Sequence, residues 1–374
     1  MKSTKIILFL IAFGWVLPCR AQVTNTATLD TTDINLKGKL SINAYIDAYY
    51  GYDFSNPPDG NRAYFVSMNR HNEFNINLAF VDVKYTSSRF RARFVPGFGT
   101  YINANYAQEP GVLKNIVEGY VGMKLAKNKE IWLDMGVLGS PYTNESAISK
   151  DHLMYTRSFA PEYVPYYLSG LKLSVPLSPK VNAYFYLLNG WQVIQDNNPG
   201  KSLGTQLEWR PNDKLLINWD TYLGNEQTTA NPTFRTRYFS DIYMIYNPSG
   251  KFSGTACVYA GWQEQANNAA RSKTTATWWN ANLIGRYRFS PQFSVSGRLE
   301  YFNDEEQVFI QIPNSLIGFS SFSSALCFNY TPIDNVLFRL ESRNFLSRQN
   351  VYRDLMGKPF DRTYLLIMNA TVFF

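Results

Sequence analysis

No stretch beyond residue 21 stays apolar for eighteen residues in a row, so the mature chain holds no helical membrane span. Charge is also scarce: Asp, Glu, Lys and Arg make up 17% of the residues, where a soluble domain carries about a quarter. Histidine is nearly missing, with His71 and His152 the only two. An outer-membrane barrel hydrolase needs a nucleophile or activated water with a histidine base held by a carboxylate. The one local pairing, Asp151 beside His152, joins adjacent residues that point apart in an extended loop, so solvated loop histidines are the expected state. There is no HExxH string, no Cys/His cluster, no acidic calcium loop and no glycine-rich phosphate loop. No metal, cofactor or catalytic residue is therefore expected. Two cysteines, Cys257 and Cys327, remain once Cys19 leaves with the leader; they either pair or stay free, with no redox spacing around them. Lys2, Lys5 and Arg20 leave too, which brings the formal +7 down to about +4, too little to imply a nucleic-acid partner.

What is present starts with an export signal. Lys2 and Lys5 precede an apolar run over 6–17, and Ala21 closes the segment, so cleavage after residue 21 is expected. Pro18 stands before Cys19, where a lipoprotein signal wants a small flexible residue, which disfavours an anchor there. A periplasmic tail over 22–36 and one domain over 37–374 complete the expected organisation. In that domain the aromatic content is 16%, and it is distributed with period two. Leu40, Ile42, Ala44, Ile46, Ala48, Tyr50 and Tyr52 share one face, opposed by Ser41, Asn43, Tyr45, Asp47, Tyr49 and Gly51. Successive strand side chains point to opposite faces, so such a segment has an apolar environment on one side and a wet one on the other. The pattern recurs in 89–94, 234–246, 252–260, 279–289, 293–301 and 336–343, more weakly in eight further segments, and ends in 364–374. About sixteen strands result.

The connections alternate in length. Short turns of Pro, Asn, Asp, Gly, Lys and Ser lie at 86–88, 126–129, 176–180, 211–214, 247–251, 290–292 and 331–335. Between them fall longer connections at 53–72, 97–115, 139–166, 190–200, 225–233, 263–274, 303–317 and 345–362. An up-and-down transmembrane β-barrel, antiparallel, with short periplasmic turns and long extracellular loops, has this record, and an even strand count puts both chain ends on the periplasmic side. The last strand keeps Tyr364, Leu366, Met368, Ala370, Val372 and Phe374 on one face, and Phe374 is the expected signal to the barrel-assembly machinery. Outer-membrane lipid is the expected surrounding.

A barrel of about sixteen strands is wide enough for an aqueous channel. Arg or Lys facing hydrocarbon near the midplane costs about 2–4 kcal/mol, so the charged face must be the inner one. Asp47, Arg89, Arg91, Arg93, Glu118, Lys172, Arg235, Arg237, Asp241, Arg298, Glu300, Arg339, Glu341 and Arg343 are thus expected to line the pore. Arginine outnumbers the acids, which points to a weak preference for anions among small hydrophilic solutes; the alternative is that the arginines pair with neighbouring carboxylates as wall braces. The longest connection, 139–166, is the candidate constriction, with Glu145, Lys150, Asp151 and Arg157 expected to face the wall arginines; the alternative is a solvated cap on the barrel mouth. A rival reading makes the protein a ligand-selective channel or surface receptor, with Tyr142, Tyr155, Tyr163, Tyr166 and Tyr167 as a stacking platform for sugars.

Several strings carry a family likeness: YTNESAISKDHLMYTRS from Tyr142, LNGWQ from Leu188 with Asn197 and Lys201 after it, YLGNE from Tyr222, and RLEYFND from Arg298. Together they resemble the OmpL-like β-barrel porin family over nearly the whole mature chain. The resemblance implies an outer-membrane porin, and it brings neither a substrate nor catalytic residues with it. A homotrimer, as in general porins, is an open expectation.

Overall fold

A computed structural model describes residues 38–374, apart from 229–232, 234, 249, 268–271 and 313–317. The export signal expected over 1–21 and the tail expected over 22–36 lie outside the described residues. Strand follows strand: β1 (Lys39–Asp53), β2 (Phe74–Thr86), β3 (Phe90–Phe98), β4 (Ile116–Lys124), β5 (Trp132–Gly139), β6 (Tyr167–Ser178), β7 (Val181–Leu188), β8 (Ser202–Asn212) and β9 (Leu215–Asn225). The second half holds β10 (Thr236–Tyr246), β11 (Phe252–Asn267), β12 (Ser272–Arg288), β13 (Phe293–Asp304), β14 (Phe319–Ile333) and β15 (Val336–Ser347). A two-residue hairpin, β16 (Tyr352–Arg353) with β17 (Pro359–Phe360), precedes the final β18 (Arg362–Phe373).

Each long strand pairs antiparallel with its neighbour in the chain, and β1 pairs with β18, so sixteen strands form a closed barrel. Closure leaves no unpaired edge in lipid, where an unpaired backbone group costs several kcal/mol. The seam runs from Tyr45 opposite Phe373 to Asp53 opposite Leu365, and it is locked at the periplasmic end by reciprocal bonds between Ala44 and Phe374.

The alternation decides what faces lipid. On β13, Phe293 and Leu299 are exposed on the outside while Ser296, Arg298, Glu300 and Phe302 are buried inside. Phe252 and Trp262 on β11 stand ten positions apart, as do Trp279 and Phe289 on and just beyond β12, and all four face outward. At about 3.4 Å per residue and a tilt of about 40°, that spacing is about 26 Å, against an apolar band of about 25 Å in outer-membrane barrels. These outward aromatics mark two girdles at the edges of the apolar band.

One connection differs from expectation. Residues 263–274 are not a long loop: β11 and β12 keep pairing from Gln263 opposite Ala276 to Asn267 opposite Ser272, leaving 268–271 between them. Polar residues on both faces hide this extension from an alternation test, because beyond the lipid neither face has to be apolar.

The candidate pore and the loop inside it

The connection 139–166 does not cap the barrel; it crosses the lumen and is tied to the wall on many sides. Thr143 donates its N–H to Asp241 on β10 at 2.7 Å while holding φ at 65°, a left-handed value costly for a β-branched residue. Asn144 exchanges amide bonds with Asn282 on β12, and Asn282 also reaches Ser158 Oγ at 3.0 Å. Both limbs of the loop thus meet at one wall residue. Ser149 joins Tyr45 on β1 at 2.8 Å. Tyr155 and Thr156 donate their N–H groups to Glu341 on β15, and Phe159 donates to Glu300 on β13.

Three arginines complete the grip by donating to loop carbonyls. Arg339 reaches Ser149 O and Met154 O at 2.8 and 2.9 Å, Arg298 reaches Thr156 O at 2.5 Å, and Arg343 reaches Arg157 O at 2.9 Å. These side chains were expected to touch water. They do not: Arg298, Arg339 and Arg343 are 2, 4 and 1% exposed, because the loop lies on them. Their charge is met inside the wall, where Arg298 and Arg343 share Glu300 at 3.1 and 2.6 Å and Arg298 lies 3.5 Å from Glu341. At this level the wall-brace alternative describes the arrangement.

The remaining candidates divide by height in the barrel. Asp47 is buried and accepts from Asn77 and Asn369. Arg237 is buried with its guanidinium 4.8 Å from the rings of Trp191 and Phe309 and bonded to Gln263. Nearer the periplasm, Arg93 holds Asp82 and Glu118, and Arg91 and Lys172 share Asp134; these cations stay partly exposed to the lumen. Arg89 and Arg235 sit off the strands, Arg89 exposed in the turn before β3 and Arg235 just ahead of β10. Within the loop, only Glu145 approaches a wall arginine, lying 3.9 Å from Arg298 Nη1; burial pushes its carboxyl up and Arg298 opposes that. Arg157 instead pairs with Glu162 and stacks between Tyr101 and Tyr166, while Lys150 pairs with Asp151.

Other extracellular loops pack on this one from above. Phe65 stacks on Phe159 at 5.0 Å, Tyr163 donates to Tyr64 O, Val66 N–H donates to Glu162, and Trp191 stacks on Tyr142. The tyrosines proposed as a sugar platform are part of this packing: Tyr142, Tyr155 and Tyr167 are buried, Tyr163 stacks on Phe302, and Tyr166 lies against Arg157. Trp278 lies flat on Gly261, where a Cβ would stand 2.1 Å from the indole. His152 is buried with both ring nitrogens unpartnered among the described residues, and burial beside Arg157, Arg339 and Arg298 holds its pKa well below the usual imidazole value. Asp151 faces Lys150, so among the described residues no carboxylate orients His152 as a base. The residues that pattern reading missed are the inward apolar ones, Phe239, Phe302, Phe345, Leu365 and Ile367, which form one buried cluster with the loop.

The sequence matches the family model described as Putative beta-barrel porin-2, OmpL-like, over residues 39–374. The chain belongs to this porin family. Among solved structures, the porin is similar to the outer-membrane channel DcaP of Acinetobacter baumannii, at 9% identity and TM-score 0.60, covering 90% of this chain and 97% of that one. An anion-selective porin from Comamonas acidovorans aligns at 8% identity and TM-score 0.58, covering 90% and 100%. OmpT of Vibrio cholerae, in a trimer form, aligns at 10% identity and TM-score 0.57, covering 90% and 99%. No curated protein matches the sequence. Family and fold together make the protein an outer-membrane porin whose barrel spans the lipid.

Cys257 and Cys327 are free and buried on the inner face beneath the loop. Thiol reagents are expected to leave both unmodified in the folded porin and to label both in the heat-denatured chain, as read by mass spectrometry. Ready labelling of the folded protein would mean that the loop does not stay where the structure has it.

Proposed function

We propose that the porin is a passive channel for small hydrophilic solutes, that loop 139–166 sets its bore, and that its periplasmic vestibule prefers anions. The observation that supports the charge preference is on β12. Arg286 and Arg288 both point inward, stay partly exposed, and have no carboxylate at ion-pair distance among the described residues. Arg286 has only long contacts, at 3.4 Å, to Asn247 and Ser253. Fixed unpaired cations in a narrow aqueous passage favour anions. The buried arginines under the loop add little to this field, since Glu145, Glu300 and Glu341 lie among them.

Reversal potentials in a salt gradient test the reading. The wild type is expected to be anion-preferring, and Arg286→Ala with Arg288→Ala is expected to bring the potential most of the way to zero. Cation preference in the wild type, or an unchanged potential in the double variant, would refute it. The placing of His71 and His152 supports a channel over an enzyme, because His71 is tied to the Asp53 N–H and to Asn56. The trimer form of the OmpT relative supports three copies here, and exposed Phe374 at the seam supports recognition by barrel-assembly machinery.

A further inference from the structure

Seven strands from β12, about half the circumference away, the inner wall carries a recess that the loop does not fill. It is a cavity of about 400 Å³ lined by Arg91, Tyr120, Lys172, Ser174, Asn182 and Tyr184, with Trp132 and Glu130 at its edge. Register builds it. Arg91 on β3 stands opposite Gly122, Gly122 opposite Asp134, and Asp134 opposite Lys172, so four neighbouring strands place two cations on either side of one carboxylate. Gly122 is required there, since a Cβ would stand 2.2 Å from Asp134 Oδ1 and 2.9 Å from Arg91 Cγ.

Asp134 is fully buried and sits behind the cations. Arg91 binds it through Nε and Nη2 at 2.7 and 2.6 Å, and lies over the Trp132 ring at 4.4 Å. Lys172 Nζ is 3.4 Å from the same carboxylate and 5.6 Å from the Tyr120 ring centroid. The two cations are therefore held in place from behind, yet each keeps donors free toward the lumen: Arg91 Nη1 has no partner among the described residues, and neither does most of the Lys172 ammonium. Glu130, at the edge, is taken up by Lys124 and the Trp132 N–H. On this part of the wall Arg91, Arg93, Lys124 and Lys172 balance Asp82, Glu118, Glu130 and Asp134, so what the recess offers is the lumen-facing donors of Arg91 and Lys172, fixed beside tyrosine faces and Ser174.

We infer that this recess is a binding station for a small organic monoanion, a carboxylate on a compact ring with an apolar face, which Arg91 and Lys172 hold by its charge and Tyr120 and Tyr184 by its face. The size fits, since pockets for small ligands begin at about 300 Å³. The charge-assisted bonds fit as well, because the cations are already ordered and lose little freedom on binding. The inference rests on the anion-preferring channel reading and adds a solute class to it.

Calorimetric titration of the folded, detergent-solubilised porin with galacturonate and with galactose reads the site without requiring conduction. Galacturonate is expected to bind and galactose, its neutral counterpart, to bind at least tenfold more weakly. Lys172→Gln, which removes one of the two lumen-facing cations while Arg91 still pairs Asp134, is expected to weaken galacturonate at least tenfold. Ser174→Phe, which fills the recess with the charges kept, is expected to abolish binding. Equal binding of the two sugars, no binding of either, or wild-type affinity in Lys172→Gln would overturn the station. Reversal potentials of the Arg286 and Arg288 variants, on the far wall, report the anion preference separately, so a failed station and a failed channel reading give different results.

Discussion

Excision of residues 144–157 raises the single-channel conductance in planar bilayers by about an order of magnitude. Sixteen strands spaced about 4.8 Å apart and tilted about 40° close into a cylinder about 32 Å between backbones, far wider than its own inward side chains can fill. What fills it is the loop and the layer packed on it. The excision closes easily, because Glu145 accepts from the Ser158 N–H at 2.8 Å and Asn282 touches both Asn144 and Ser158. The wall left behind carries Arg298, Glu300, Glu341 and Arg343, which pair among themselves and accept water readily. A heat-modifiable gel shift shows that the shortened chain still closes its barrel. Unchanged conductance in a correctly folded variant would show that another element limits the passage.

Glu300→Ala loosens the loop without opening the barrel. Its carboxylate lies 3.1 Å from Arg298, 2.6 Å from Arg343 and 2.5 Å from the Phe159 N–H, all in a region closed to water. Removing one partner of a buried ion network costs about 3–5 kcal/mol, because the charges left behind have no water to turn to. A single hydrogen bond to a charged group is worth about 1.5–3 kcal/mol, so the stranded arginines dominate. The cost falls on the docked loop, which can lift and let both guanidiniums hydrate, and not on the sixteen-strand ladder. At about 1.4 kcal/mol per decade, docking weakens by a factor of about 10² to several times 10³. Labelling of Cys257 and Cys327 in the folded variant is expected to accelerate by a similar factor, while the heat-modifiable transition stays put. Wild-type labelling rates would mean that the ionic cluster does not hold the loop.

The lipid-facing half of this architecture is written openly in the chain. Period-two alternation on β1, β13 and β15 can be read by eye, since one solvent is hydrocarbon and tolerates no charge near its midplane. The inner half is less legible, because a polar inward face looks the same whether water or another piece of polypeptide lies against it. Arg298, Arg339 and Arg343 read as pore lining for that reason, and only the fold shows that they grip carbonyls. A signal was available: Leu365 and Ile367 face inward on β18 beside outward Leu366, and both faces turn apolar only where the lumen is filled. Bulges hide a second class of residue. Counting from Phe74 places Asp82 outside, but the register shifts by one at Asn77, which turns Asp82 inward to meet Arg93. The recess around Asp134 depends on four strands lying in register, and no window of one strand contains it.

The arginines that clasp the lumen loop take hold of Ser149, Met154, Thr156 and Arg157 by their main-chain oxygens. Every amino acid offers that oxygen, so these particular bonds do not depend on which side chains stand at the four positions. Ser146, Lys150 and Asp151, which keep some exposure, can therefore change without undoing those four bonds. What the loop presents to the passage and what seats it against the wall thus rest in part on different atoms.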